Sequence, residues 1–451
     1  MRDGKHMNES SLSEPRSAET VETGRRDPSL IDRPRKPRLL HVLGPGLITG
    51  ASDDDPSGIG TYSQAGSQLG FGISWTMLFT FPLMVAIQEI SARIGRVTGR
   101  GLAGNICRHY PGWILQSIVM LLFVANAVNI GADLGAMADA ARSLVGGPDA
   151  AYVLVFGTIC ATAPVFVRYT LYVRILKWLC LSLFVYVAAL AAVQVPWREA
   201  VKGILLPTVA WKADFLTTLV AIAGTTISPY LFFWQASQEA EDVRAKPRRA
   251  PLVRARWQAL PAFARIRADT IAGMAFSNLI AVSIMITTAA TLHANGITNI
   301  ETSAQAAKAL KPIAGEFASL IFMIGIVGTG LLAVPVLAGS AAYALAEGRR
   351  WPVGLARQPG EAGAFYLSLV VATMIGVALD FTPINPIKAL YWSAGINGVV
   401  AVPVMVILMM MAAQRRIMGE FTVAGWLRAL GWLSTAFMAA CVAGMFATSF
   451  G

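Results

Sequence analysis

Charge is the first thing this sequence lacks. Only 14% of its 451 residues are Asp, Glu, Lys or Arg, where soluble globular chains carry roughly a quarter. Hydrophobic residues make up 55%. That balance excludes an ordinary soluble enzyme and points to a chain threaded repeatedly through a bilayer. Cysteine is scarce too. Cys107, Cys160, Cys180 and Cys441 form no CxxC pair, and three of them lie in apolar runs, so neither a zinc site nor a disulfide framework is indicated. HExxH, GxSxG and a Cys/His nucleophile pair are all missing. An intramembrane enzyme is therefore not expected, and neither is a resident cofactor. No ten-residue alternating pattern occurs, which speaks against a membrane β-barrel. The net charge of +11 sits between apolar runs, where it reads as orientation in the bilayer and not as nucleic-acid binding.

What is present is a series of apolar runs. Residues 1–37 are polar, mixed in charge and rich in Ser, Pro and Arg, and are expected to form a disordered cytoplasmic tail. The first apolar run begins near Leu39, too late for a cleavable signal peptide. With about 20 apolar residues per crossing as the ruler, eleven spans follow, at 39–68, 72–96, 113–141, 150–168, 174–195, 214–237, 270–293, 316–346, 363–380, 386–412 and 424–448. Thirty of the 37 lysines and arginines fall in the tail and the connections on its side, and seven on the other. The positive-inside rule then places the N-terminus in the cytoplasm and the C-terminus outside. The expected architecture is an all-α membrane protein, with residues 38–451 as the transmembrane domain and 240–268 as a strongly basic cytoplasmic loop. Nothing in the sequence demands an oligomer, and a monomer is the working expectation.

Two spans are interrupted. Span 1 contains GASDDDPSGIG, residues 50–60, and span 6 contains Gly224, Thr225, Thr226, Ser228 and Pro229. Proline removes a backbone donor and glycine tolerates unusual dihedrals, so both helices are expected to unwind at mid-membrane. Unpaired backbone at that depth survives only where it lines a cavity or is buried in protein. Interrupted segments at matching positions of two halves point to a transporter's binding site, and spans 1 and 6 stand in that relation if spans 1–5 and 6–10 are inverted repeats. A kink needs no carboxylates, yet span 1 carries Asp53, Asp54 and Asp55. Each costs several kcal/mol at the bilayer centre. A bound cation would offset that cost, since carboxylates and exposed carbonyls are ligands for hard divalent ions. A permanent ion pair is the competing account, but the cores of spans 1, 6, 7, 8 and 11 hold no Lys or Arg.

The pattern resembles the Nramp family of divalent metal transporters. The likeness rests on GPG followed after eight residues by Asp55-Pro56, then GSQLGFGISW, SARIGRVTGRGLA, the ADLG of span 3 and the break in span 6. Later segments such as IGIVGTGLLAVPVLAGSAAYALAEG resemble a divergent branch. The resemblance implies a LeuT-type 5+5 inverted repeat, alternating access, a divalent metal ion as substrate and a metal site between the unwound spans. It carries Asp55 over as the metal-binding carboxylate and Thr225 as the main-chain carbonyl ligand. The family's Asp-Pro-Gly-Asn reads Asp55-Pro56-Ser57-Gly58 here, so Gly58 offers only its main chain. Its Met-Pro-His reads Ser228-Pro229-Tyr230, which removes a soft thioether and a histidine tied to proton movement. Asp133 matches the span 3 aspartate, while the acidic residue expected three positions later is Ala136.

These departures set the functional expectation. A thioether favours softer transition metals, and a serine hydroxyl does not. An all-oxygen site with extra room suits a partly hydrated Mg²⁺, which sheds water reluctantly. The pattern thus resembles the Nramp-related magnesium transporters, although a related branch that handles trivalent aluminium lacks the methionine too. The expected ligands are Asp55, Ser228, Thr225, Gly58 and Asp54, with Asp53 further out. Asp133, Asn397 and Tyr230 are candidates for proton movement or gating, Tyr230 with a space-filling role as its alternative. The leading function is a Mg²⁺ carrier with Mn²⁺ next and weak or absent proton coupling. A proton-coupled Mn²⁺/Fe²⁺ symporter is the first alternative, and an organic-solute symporter on the same fold the second. Glu89 and Arg93 are expected to pair along one helix face. Asn278 reads as helix–helix contact, and His6, His41, His109 and His293 as incidental.

Overall fold

A computed structural model describes residues 45–167, 183–311 and 315–449. The tail, Cys180 and the first half of span 5 lie outside the described residues. Every regular element among those described is helical. Span 1 is two helices, α1 (Pro45–Asp53) and α2 (Pro56–Leu69). Then come α3 (Trp75–Thr98), α4 (Leu102–His109), α5 (Gly112–Val145) and α6 (Asp149–Phe166). The end of span 5 is α7 (Phe184–Ala192), followed by the short α8 (Trp197–Leu205). Span 6 is again two helices, α9 (Ala213–Thr226) and α10 (Pro229–Ala245). The remainder is α11 (Ala259–Thr291), α12 (Ser303–Ala307), α13 (Ala318–Gly348), α14 (Gly363–Leu379), α15 (Pro386–Ala413), α16 (Arg415–Met418) and α17 (Gly425–Ser449).

Eight helical stretches among the described residues, with the two halves of span 6 taken as one, are long and apolar enough to cross a membrane, and Gly363–Leu379 is apolar but shorter. The expected count of eleven adds span 1, which is split into two short pieces, and span 5, of which only the end is described. The protein is an integral membrane protein.

The prolines of spans 1 and 6 do not kink continuous helices. Pro56 and Pro229 each occupy the first turn of the second half-helix, where a missing N–H costs nothing and the fixed φ suits helix entry. The break is thus a stop and a fresh start. Helices meet through small residues, as expected where lipid gives no hydrophobic drive to association. A Cβ on Gly224 of α9 would strike the Ala394 carbonyl of α15 and crowd Gly398. A Cβ on Gly50 of α1 would strike the backbone of Gly273 in α11.

The basic connection between spans 6 and 7 is more helical than expected. α10 runs on to Ala245 and α11 begins at Ala259. Its acidic residues are paired, which is why helix persists there despite the polarity. Glu239 bonds Arg265 at 2.5 Å, and Asp242 pairs with Lys246 and Arg249. The rest is strapped to the end of α3, with the Leu252 and Val253 N–H groups donating to the Arg96 and Val97 carbonyls. Glu89 and Arg93 pair as expected, at 2.5 Å.

Candidate metal site between the broken helices

The two breaks face each other. A Cβ on Gly58 would lie 3.3 Å from the Thr225 hydroxyl, and the Tyr230 hydroxyl donates across to the Ser52 carbonyl at 2.7 Å. Both breaks are buried, Asp55 at 2% exposure and Ser228 at 2%.

Asp55 caps α2. Its Oδ1 accepts the Gly58 N–H at 2.6 Å, the arrangement an N-cap aspartate adopts. Its Oδ2 accepts the Asn129 amide of α5 at 3.0 Å, with the Tyr230 hydroxyl at 3.5 Å. Asn129 in turn accepts from Asn397 of α15 at 3.4 Å, so Asn397 reaches the carboxylate through one intermediate. Asp133 lies one turn further along α5. Its Oδ1 accepts the Ser57 N–H at 3.1 Å, one of the first N–H groups of α2. Its Oδ2 is buried without a hydrogen-bond partner.

Asp53 and Asp54 turn the other way. Ser277 of α11 lies 2.6 Å from Asp53 Oδ2 and 3.2 Å from Asp54 Oδ1, and one hydroxyl proton can serve only one of them at a time. Asp53 Oδ1 and Asp54 Oδ2 are buried without partners. In span 6 the Ser228 hydroxyl folds back across the break onto the end of α9, within 2.7 Å of the Gly224 carbonyl and 2.8 Å of the Thr225 carbonyl. Serine in a helix commonly bonds this way, and it leaves the lone pairs of Ser228 available. Tyr230 fills space and also places a hydroxyl at the break.

The structure thus gathers Asp55, Gly58, Thr225, Ser228 and Tyr230 at one point. Asp133 on α5 touches the start of α2, Asn397 of α15 reaches Asp55 only through Asn129, and Asp54 is directed toward Ser277. Among the described residues, no three His, Cys, Asp or Glu side chains come together as a metal cage. A cation there would draw on carbonyl, hydroxyl and amide oxygens beside one or two carboxylates. Unpartnered buried carboxylate oxygens are rare because desolvating an anion is costly. Their concentration at this break fits a place made for positive charge.

Reading the sequence missed Asn129, Ser277 and Ser393. Asn129 had a signal, since Asn126, Asn129 and Asp133 recur at i, i+3 and i+7 and so share one face of α5. Ser393, 3.2 Å from the Ser57 hydroxyl, had none.

Comparison with known proteins agrees with this geometry. The family model for natural resistance-associated macrophage protein-like proteins matches residues 46–448. The chain belongs to the Nramp family. Relatives of this Nramp protein include the divalent metal cation transporter MntH of Klebsiella pneumoniae (strain 342), 28% identical over 88% of this chain and 91% of the relative. MntH of Acidiphilium cryptum (strain JF-5) is 27% identical over 86% of this chain and 85% of the relative. A manganese transporter of Eremococcus coleocola superposes with a TM-score of 0.70 over 94% of this chain and 91% of that one, at 15% identity. MhsT, solved in complex with L-phenylalanine, superposes at 0.57 over 90% of this chain and 98% of that one, at 12% identity. The Nramp chain thus has the LeuT-type fold that its resemblance to the family implied.

Proposed function

We propose that this Nramp-family protein carries divalent cations across the membrane by alternating access, with Mg²⁺ as the leading cargo and Mn²⁺ next, and with weak or no proton coupling. Divalent metal transport is the activity named for its MntH relatives. The observation that carries the finer reading is the donor set. Around Asp55 every candidate ligand atom is oxygen: its carboxylate, the Thr225 carbonyl, the Ser228 hydroxyl, the Gly58 main chain and, one step out, Asp54. Hard oxygen ligands suit Mg²⁺ and leave little advantage to softer ions. Asp53, Asp54 and Ser277 would hold water of the outer shell.

The expected orientation gives the path. α2 and α9 lie on the outer side, where a cavity of about 260 Å³ is lined by Gln64, Gln68, Asp214, Lys388 and Tyr391. These side-chain oxygens and the Asp214 carboxylate make a polar approach to the breaks. α1 and α10 lie on the cytoplasmic side. The protein would reside in the plasma (inner) membrane and work as a monomer.

One observation favours the proton-coupled Mn²⁺/Fe²⁺ alternative. Asp133 is buried with one unpartnered oxygen, the position a proton-carrying carboxylate would take. Uptake into proteoliposomes separates the two readings, with Mg²⁺ and Mn²⁺ tested singly, wild type beside Asp55→Ala, and an internal pH dye read throughout. Mg²⁺ entry that needs Asp55 and leaves internal pH unchanged is the expected result. Mn²⁺ entry with acidification and no competition from Mg²⁺ would return the protein to the symporter reading.

A further inference from the structure

A second polar cavity, of about 560 Å³, opens far from the breaks, on the face proposed as cytoplasmic. Three separate segments build it. The connection from α3 and the helix α4 contribute Arg100 and Arg108. The end of α10 contributes Arg244, and the end of α13 contributes Glu347, Arg350 and Trp351. Four guanidinium groups thus face one carboxylate. Among the described residues, none of the four arginines forms an ion pair with Asp or Glu.

Glu347 forms no ion pair with the cluster, although the Arg244 charge acts on it, and its oxygens hold neighbouring groups. It accepts the Gly101 N–H at 3.2 Å, the Gly104 N–H at 3.1 Å and the Ser237 hydroxyl at 3.1 Å. The first turn of α4 has no side-chain cap of its own, and Glu347 supplies one from another helix. The carboxylate therefore fixes the wall that presents Arg100 and Arg108.

Arg350 adds an independent sign. Its φ is 60°, and it is the one residue other than glycine with positive φ among those described. It stands in the left-handed position just past α13, with its N–H bonded to the Glu347 carbonyl at 3.2 Å and the next N–H, of Trp351, bonded to Ala346 at 2.8 Å. That helix ending normally takes glycine, which adopts the conformation without strain. An arginine there carries strain that glycine would avoid, and its side chain lines the cavity. Strained backbone of this kind gathers where a site requires a particular side chain.

We propose that this cavity is a binding site for a phosphate-bearing anion, either a soluble phosphate compound or the headgroup of an anionic lipid. Guanidinium groups match phosphate oxygens with paired donors, and four arginines against one committed carboxylate leave that capacity unused inside the protein. The anion joins the end of α10 to α4 and to the end of α13. α10 is the half-helix that begins at Ser228 and Pro229, so the ligand ties one wall of the metal site to the cytoplasmic frame. A ligand that prefers this arrangement shifts the conformational population toward it. The proposal stands apart from the identity of the transported ion.

The test is thermal unfolding of the purified full chain in neutral detergent. Inorganic phosphate is titrated against sodium chloride of equal ionic strength, and in parallel the protein is placed in vesicles of phosphatidylcholine with or without phosphatidylglycerol. The variant is Arg100→Gln with Arg350→Gln, and Arg198→Gln on the opposite face is the control. Saturable stabilisation of wild type and control by phosphate, weakened about tenfold in apparent affinity in the double variant, supports a soluble ligand. Stabilisation by phosphatidylglycerol alone, lost in the double variant, supports the headgroup. Equal response to phosphate and chloride together with no phosphatidylglycerol effect would overturn the proposal, as would stabilisation undiminished in the double variant. Should that variant fail to fold, Arg100→Gln and Arg350→Gln are read singly in the same two assays, and stabilisation undiminished in both overturns the proposal.

Discussion

The break in span 1 and the break in span 6 look alike in sequence and do different work. Each ends a half-helix and restarts it with proline in the first turn. In span 1 the restart is capped by a side chain, Asp55, whose other oxygen points to α5 and α10. In span 6 the restart has no side-chain cap, and the Ser228 hydroxyl turns back to the last carbonyls of α9. One break therefore supplies charge and the other supplies neutral oxygens and shape. Two half-helices of this kind can divide a cation site into an attractive part and a selective part.

Three substitutions test that division, in decreasing order of expected effect. Asp55→Asn keeps a side chain able to cap α2, so stability should fall by no more than about 1 kcal/mol, read as the unfolding midpoint. Cation uptake should nevertheless fall to background, because the charge is gone. Retained uptake would show that Asp53 or Asp54 carries the attraction. Ser228→Met places a soft thioether on the selective side. The ratio of Mn²⁺ to Mg²⁺ uptake should rise by about tenfold with Asp55 untouched, and an unchanged ratio would remove span 6 from selectivity. Tyr230→Phe deletes the hydroxyl that joins the two breaks, leaving the Ser52 carbonyl without that donor. A loss of about 1 kcal/mol in stability is expected, with the Mn²⁺/Mg²⁺ ratio unaltered. A shifted ratio would make the tyrosine part of the selective wall.

Much of the fold was legible because its signals are local. Apolar length marks a span, and Pro56 and Pro229 mark restarts whatever surrounds them. The acidic turn was legible for the same reason, while the capping of α2 by Asp55 emerged only from the structure. What could not be read was which oxygen faces which neighbour. That depends on how helices distant in sequence are rotated against each other. Ser277 stands more than two hundred residues from the acidic turn, yet it lies beside Asp53 and Asp54 and not beside Asp55. The length of α10 was underestimated because Glu239 and Glu241 read as the polar end of a span. In the structure both are buried and hydrogen-bonded, Glu239 to Arg265 and Glu241 to Tyr343 and the Ala356 N–H.

One contact of span 1 has a mechanical consequence. α11 lies along the whole of the broken helix. Asp269 accepts the Gly46 N–H at 2.8 Å, Gly273 touches Gly50, Ser277 reaches the acidic turn, and Met285 and Thr288 crowd Gly66. A continuous helix of 33 residues thus splints a helix in two pieces. The joint at Asp54 cannot bend without one half lifting off that splint. A single added methyl at Gly50 or Gly66 would act as a wedge between the splint and the half-helix it holds.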